Sequence, residues 1–91
     1  MKVSNEFILR EIAGEYLLVP VGSAASAFHG LITLNETGQL LFSALSRACT
    51  VEDLTALLTA EYEVDEQTAR ADVLEFLQQL RDVGALVENE R

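Results

Sequence analysis

The chain is 91 residues long, 49% hydrophobic and carries a formal net charge of −9. That length supports one domain near the lower limit at which a single core sustains a fold, and the charge argues against broad phosphate contact, because nucleic-acid affinity is built from Lys and Arg. Cys49 is the single cysteine and His29 the single histidine, which leaves neither an internal disulfide nor the cluster that a zinc or iron–sulfur site requires.

In chain order, residues 7–13 mix β-branched and large apolar side chains with Arg10 and Glu11, and residues 16–21 are rich in Leu and Val. Both stretches predict strands. The Gly14-Glu15 step between them predicts an antiparallel hairpin. Pro20 lacks the N–H that a ladder needs and belongs at a strand end or on a free edge. Residues 22–27, Gly-Ser-Ala-Ala-Ser-Ala, are small and unpatterned and read as a flexible connection. A third strand is expected over residues 29–34.

The remainder predicts three helices. Asn35 suits the N-cap of a helix over residues 36–46, with Leu40, Leu41, Ala44 and Leu45 on one face. Gly38 costs such a helix about 1 kcal/mol relative to Ala, and its place near the first turn implies close packing against another backbone. Thr50, with Asp53 three residues on, forms a capping box for the second helix. The apolar stripe of that helix is Leu54, Leu57, Leu58 and Tyr62. Glu63-Val64 breaks the pattern, and Asp65 caps a third helix over residues 66–83. Ala69, Val73, Phe76, Leu77 and Leu80 face inward on it, and Gly84 closes it. A short strand over residues 85–87 follows. Three strands and then three helices make an α+β fold, that of a winged helix-turn-helix with its wing moved to the front. One domain spans residues 1–91, with its core within residues 6–87.

No residue pattern supplies catalytic machinery. A phosphate cradle needs a Gly-rich turn leading into a helix with a Lys, and neither Gly22 nor Gly30 is followed by one. An acyl-carrier attachment site needs an Asp-Ser-Leu-like triplet at a helix start, which the chain lacks. Cys49 sits at a helix boundary without a neighbouring base and reads as a small half-buried hydrophobe. His29 reads as a strand-end surface residue rather than a ligand or base. No metal or cofactor is expected. No window reaches the ~20 continuous apolar residues of a membrane span, and the first residues lack the apolar core of a secretion signal. Together with the lone thiol, this points to the cytoplasm.

A binding role is legible in the third helix. Arg70, Leu74, Gln78 and Arg81 form a second strip beside its core face. One reading is a widely buried helix whose arginines pair with Glu66 and Glu75. The other is a shallow groove with an apolar floor and a basic rim, suited to a hydrophobic peptide bearing Asp or Glu. Its second wall would be the strand at residues 29–34, last in its sheet, with an edge open to an extended peptide adding as a further strand.

The run Leu34-Asn35-Glu36-Thr37-Gly38, then Thr50-Val51-Glu52-Asp53-Leu54, Tyr62, Asp72-Val73, Phe76-Leu77, Leu80 and Gly84, resembles the PqqD-like family, the pyrroloquinoline quinone biosynthesis protein D relatives also called RiPP recognition elements. The likeness spans residues 16–87, and it is carried by the order and spacing of the motifs together. It implies a non-catalytic peptide chaperone without a cofactor. Such a chaperone binds the leader segment of a ribosomally synthesised precursor peptide and presents it to a modifying enzyme, often a radical SAM protein. It also implies that the leader adds to the third strand and packs on the third helix. By position the site is then Gly30, Leu31, Ile32 and Thr33 with Arg70, Val73, Leu74, Leu77, Gln78 and Arg81. The connection at residues 22–27 is longer than the family's usual one.

Two other readings compete. A DNA-binding winged-helix domain of a transcriptional regulator would use the second and third helices, but Asp65 and Glu66 would then face phosphates with the wrong sign. A structural partner could instead pair its open edge with a second copy across a two-fold axis. The leading expectation is therefore a monomer or homodimer that partners a precursor peptide and its modifying enzyme, with no nucleic acid and no membrane.

Overall fold

In the computed structural model, which describes residues 1–27, 32–47 and 49–87, nine elements follow in order. They are β1 (Lys2–Val3), β2 (Phe7–Ile12), β3 (Glu15–Pro20), α1 (Ser23–Ala27), β4 (Ile32–Leu34), α2 (Glu36–Ala44), α3 (Val51–Glu61), α4 (Glu66–Asp82) and β5 (Leu86–Val87). Ala13 and Gly14 alone join β2 to β3, both at positive φ (53° and 83°). A two-residue hairpin needs that geometry to match the right-handed twist of its strands. Gly14 adopts it freely, whereas Ala13 is strained by it. The ladder runs from Phe7 opposite Pro20 to Ile12 opposite Glu15.

β4 pairs antiparallel with the other side of β3, Tyr16 opposite Leu34 and Leu18 opposite Ile32, so the sheet order is β2-β3-β4. Among the described residues β4 pairs with Tyr16, Leu17 and Leu18 of β3, so the missing N–H of Pro20 interrupts none of those bonds. The expected third strand is present as residues 32–34, while His29, Gly30 and Leu31 lie outside the described residues. The expected architecture, a three-stranded antiparallel sheet followed by three helices, is the one observed.

Two features depart from the sequence reading. The stretch read as a flexible connection contains α1. Gly22 turns the chain at φ 63°, and the Ser23 hydroxyl donates to both oxygens of the Glu6 carboxylate at 2.8 and 2.7 Å. The Ala-rich composition that made the stretch look featureless is also good helix composition. The second departure is β1, which pairs antiparallel with β5, Lys2 opposite Val87. Amides at its C-terminal end bond across the domain, Val3 N to the Leu45 carbonyl at 3.0 Å and Ser4 N to the Ala85 carbonyl at 2.8 Å. Two residues are too few to carry a period, so the N-terminal strand left no pattern to read.

The helices begin and end on the groups their sequences offer. Asn35 Oδ1 accepts from Gly38 N at 2.7 Å. Thr50 and Asp53 exchange backbone-to-side-chain bonds of 3.0 Å each, the expected capping box. Asp65 Oδ1 accepts from Thr68 N at 3.1 Å. α4 closes with Gly84 at φ 77°, where Gly84 N bonds to the Arg81 carbonyl (3.0 Å) and Ala85 N to the Leu80 carbonyl (2.8 Å). That pair of bonds is a Schellman motif, and it turns the chain sharply enough to bring β5 back against β1.

The core lies between the sheet and the helices. Leu18 of β3, Leu41 and Leu45 from α2 and its cap, Leu54 and Leu58 of α3, and Val73, Leu77 and Leu80 of α4 are all fully buried. Each such Leu stabilises the fold by roughly 1.5–3 kcal/mol relative to exposure. Leu40 and Ala44, expected to face inward, are only half-buried, and Phe42 is buried instead. Cys49 is half-buried, with Sγ donating to the Ala44 carbonyl at 3.2 Å.

Hydrogen bonds from the Thr68 hydroxyl and its backbone N–H hold the Asp65 carboxyl below its ordinary value of 3.8. A carboxyl depressed in the folded state stabilises above its unfolded value and loses that contribution as the pH falls through the folded one. Asp65→Ala should therefore lower the thermal midpoint at neutral pH. The gap to the wild type should narrow on going below about pH 4, as melts across the acid range would read.

Candidate functional site

β4 ends the three-stranded sheet: β3 occupies one of its flanks, and among the described residues no strand pairs with the other. Its backbone groups on that side form a template for a further strand. Burial alternates along it, Ile32 half-buried, Thr33 exposed and Leu34 buried. The short strand runs directly into Asn35 and α2, so strand edge and helix start form one continuous wall.

A groove of about 540 Å³ opens beside this wall. Thr33, Leu34, Asn35, Thr37, Gly38 and Leu41 line one side of it, and Asp72, Glu75, Phe76 and Gln79 of α4 line the other. The walls come close because Gly38 has no side chain. A Cβ built there would lie 3.2 Å from Phe76 Cε1 and 3.2 Å from Asn35 Oδ1. The close approach anticipated at Gly38 is real, but it is made to an aromatic ring and a capping carbonyl rather than to another backbone. Asn35 is engaged as the α2 cap, so its oxygen braces the wall.

The helical side of this groove differs from the one expected. At about 100° per residue, Arg70, Leu74, Gln78 and Arg81 point roughly 150° round the α4 axis from Asp72, Glu75, Phe76 and Gln79. Arg70 lies toward α3, where NH1 is 3.3 Å from Glu52 Oε2. It also lines a second hollow, of about 500 Å³, with Thr55, Ala56, Thr59 and Val64. Leu74 is 44% exposed, and Gln78 Nε2 donates to Asp82 Oδ1 at 2.9 Å. None of these four lines the β4 groove. Val73 and Leu77 are wholly buried and hold the helix in place from beneath. Of the strand residues expected at the site, Ile32 and Thr33 belong to the free-edged strand, and Gly30 and Leu31 lie outside the described residues.

Among the described residues the rim is therefore acidic, where a basic one was expected. Asp72 and Glu75 are its charged lining residues, and none of Lys2, Arg10, Arg47, Arg70 or Arg81 lines it. Arg70 also departs from the expected pairing with Glu66 and Glu75, since the partner it meets is Glu52 on α3. The sequence did hold one sign of the flank that lines the groove. Phe76 sits at the margin of the apolar stripe, 8% exposed, and its neighbours at i−4, i−1 and i+3 are Asp72, Glu75 and Gln79. Which margin meets the sheet depends on the hand of the chain path between β4 and α4.

Among the described residues no group of three or more His, Cys, Asp or Glu side chains could hold a metal ion. No helix there is long and apolar enough to cross a membrane.

Comparison with known proteins agrees with this architecture. Residues 15–86 match the family model of Coenzyme PQQ synthesis protein D (PqqD). A solved structure of TbiB1 in complex with the TbiA(beta) leader peptide superposes with a TM-score of 0.78 at 24% identity, covering 100% of both chains. A lasso peptide synthetase B1 complexed with the leader peptide gives 0.76 at 22% identity, covering 96% of each. At such identities the likeness is one of fold. No curated protein matches the chain.

Gly38→Val should drive its added methyl groups into the Phe76 ring. An overpacking loss of about 1–3 kcal/mol is expected, larger than the few tenths that leaving Gly returns in helix propensity. Urea unfolding of the variant beside Gln79→Ala, an exposed change across the groove, would measure it, the latter staying close to wild type.

Proposed function

The chain belongs to the PqqD family, and from that premise we propose that it is a non-catalytic module for leader peptides. In this reading it binds the leader segment of a ribosomally synthesised precursor peptide as an added strand on β4 and presents the precursor to a modifying enzyme, such as a radical SAM protein. The observation that carries the proposal is the free β4 edge running along a groove that has Leu41 and Phe76 among its lining residues. Main-chain bonds to the edge would supply affinity, and side chains of alternate peptide residues would meet α4. Two structures of the same fold hold leader peptides, which supports the choice of ligand.

We assign the module no catalytic step and no cofactor, and place its work in the cytoplasm, where a lone half-buried Cys49 stays reduced. The residues assigned to contact are Ile32 and Thr33 on the strand, with Asp72, Glu75, Phe76 and Gln79 on the helix. A DNA-binding winged helix is not favoured. α4 would be its recognition helix, yet that helix opens on Asp65 and exposed Glu66 in a chain of net charge −9.

Leader peptides encoded beside this chain should bind with Kd well below ~1 mM, the point at which binding supplies only about 4 kcal/mol. Uniformly weaker titrations would remove the groove as a peptide site. Backbone N-methylation at alternate leader positions tests strand addition directly. Methylating the phase whose N–H groups face β4 should weaken binding at least about tenfold, from lost bonds and unpaired carbonyls, while the other phase changes it little. Leu74→Asp, on the far flank of α4, should leave the affinity within about twofold, as expected of an exposed site away from the contact.

A further inference from the structure

The proposed groove has a definite sign of charge. Asp72 and Glu75 are both exposed and both line it, and no cation of the described residues does. They lie three residues apart on α4, which places their Cβ atoms about 5–6 Å from each other on one helix face. Side chains on one face of an extended strand recur about every 6.6 Å. A strand laid along β4 can therefore set one of its side chains opposite each carboxylate. Thr33, Thr37 and Gln79 are uncharged and offer a cation no competing ion there.

We infer that the groove selects an extended peptide carrying Lys or Arg on the face it turns toward α4, with apolar residues beside them for Phe76 and Leu41, and that Asp72 and Glu75 are the residues that choose this charge. The inference rests on the strand-addition reading above and reverses the sign of peptide that a basic rim would have taken. The site is the strand edge and groove. The two carboxylates set only which side chains it prefers. The whole-chain charge of −9 reinforces the choice, since it draws cationic peptides toward the protein and repels acidic ones.

A random 12-residue peptide library displayed on phage, selected against the purified full chain and in parallel against Asp72→Lys/Glu75→Lys, tests this. Peptides from the wild-type selection should be enriched in Lys and Arg at positions two apart, and those from the reversed variant in Asp and Glu. A synthetic wild-type-selected peptide, followed by fluorescence polarisation, should lose about two- to fivefold in affinity for each carboxylate neutralised in Asp72→Asn and Glu75→Gln, the scale of exposed ion pairs. Glu61→Lys/Glu63→Lys makes the same change in net charge away from the groove and should preserve the cationic preference. The near-isosteric Asn and Gln variants keep the test open should the double reversal fail to fold, which circular dichroism reports.

Three outcomes overturn the charge assignment while strand addition stands. One is a set of selected peptides sensitive to alternate N-methylation yet without cationic bias, and another is peptides indifferent to both neutralisations. The third is a cationic bias that weakens equally in Glu61→Lys/Glu63→Lys. Selection that yields no binder, or binders indifferent to N-methylation, overturns the groove reading and the charge assignment with it.

Discussion

Where the β4–α2 corner faces α4, the Phe76 ring packs toward the bare Cα of Gly38 and leaves no room for a side chain between them. That close approach puts Thr33, Leu34 and Thr37 on one side of the groove and Asp72, Glu75 and Gln79 on the other. A larger residue at Gly38 would hold the walls apart and unpack Leu41 from its neighbours. An alanine at Phe76 would leave a void that packed interiors accommodate poorly. The corner is braced from its own side as well, since Asn35 both ends β4 and caps α2.

α4 serves three environments from one amphipathic stretch. Its central stripe, Ala69, Val73, Leu77 and Leu80, is sealed in the core. One flank carries Asp72, Glu75 and Gln79 to the groove, and the other carries Arg70 toward Glu52 on α3. The exposed Arg70–Glu52 pair contributes at most about 1 kcal/mol, so it orients the flank more than it stabilises the fold. A rigid helix with its charges segregated in this way can present an acidic wall to one partner without disturbing the opposite face. The Schellman closure at Gly84 then returns the chain to β1, tying both ends of the described chain to the same side of the core.

Much of the architecture was legible because each element carries its own local signal. The β2–β3 hairpin announced itself by two apolar runs about a glycine turn, and α3 and α4 by capping residues followed by a 3.6-residue apolar stripe. Gly84 marked the helix end for the same reason that it is observed there, a left-handed conformation that costs glycine little. What stayed illegible had no local signature. α1 was hidden by small residues that suit helix and loop alike, and β1 by being two residues long. The expected helical wall differs from the one that lines the groove because Leu74, an apolar residue outside the stripe, drew the reading to its own flank, and in the structure it is exposed and does not line the groove.

By itself, the sequence determined the β2–β3 hairpin, the three longer helices, their caps and the inward stripes of α3 and α4, because propensity, capping and burial periodicity act over a few neighbouring residues. The tertiary structure alone decided which margin of α4 faces the free strand, and hence that the groove is acidic. A helix stripe has two margins related by rotation about its axis, and nothing local distinguishes them. Only the path of the chain from β4 through α2 and α3 brings Asp72 and Glu75, rather than Arg70 and Arg81, alongside Thr33.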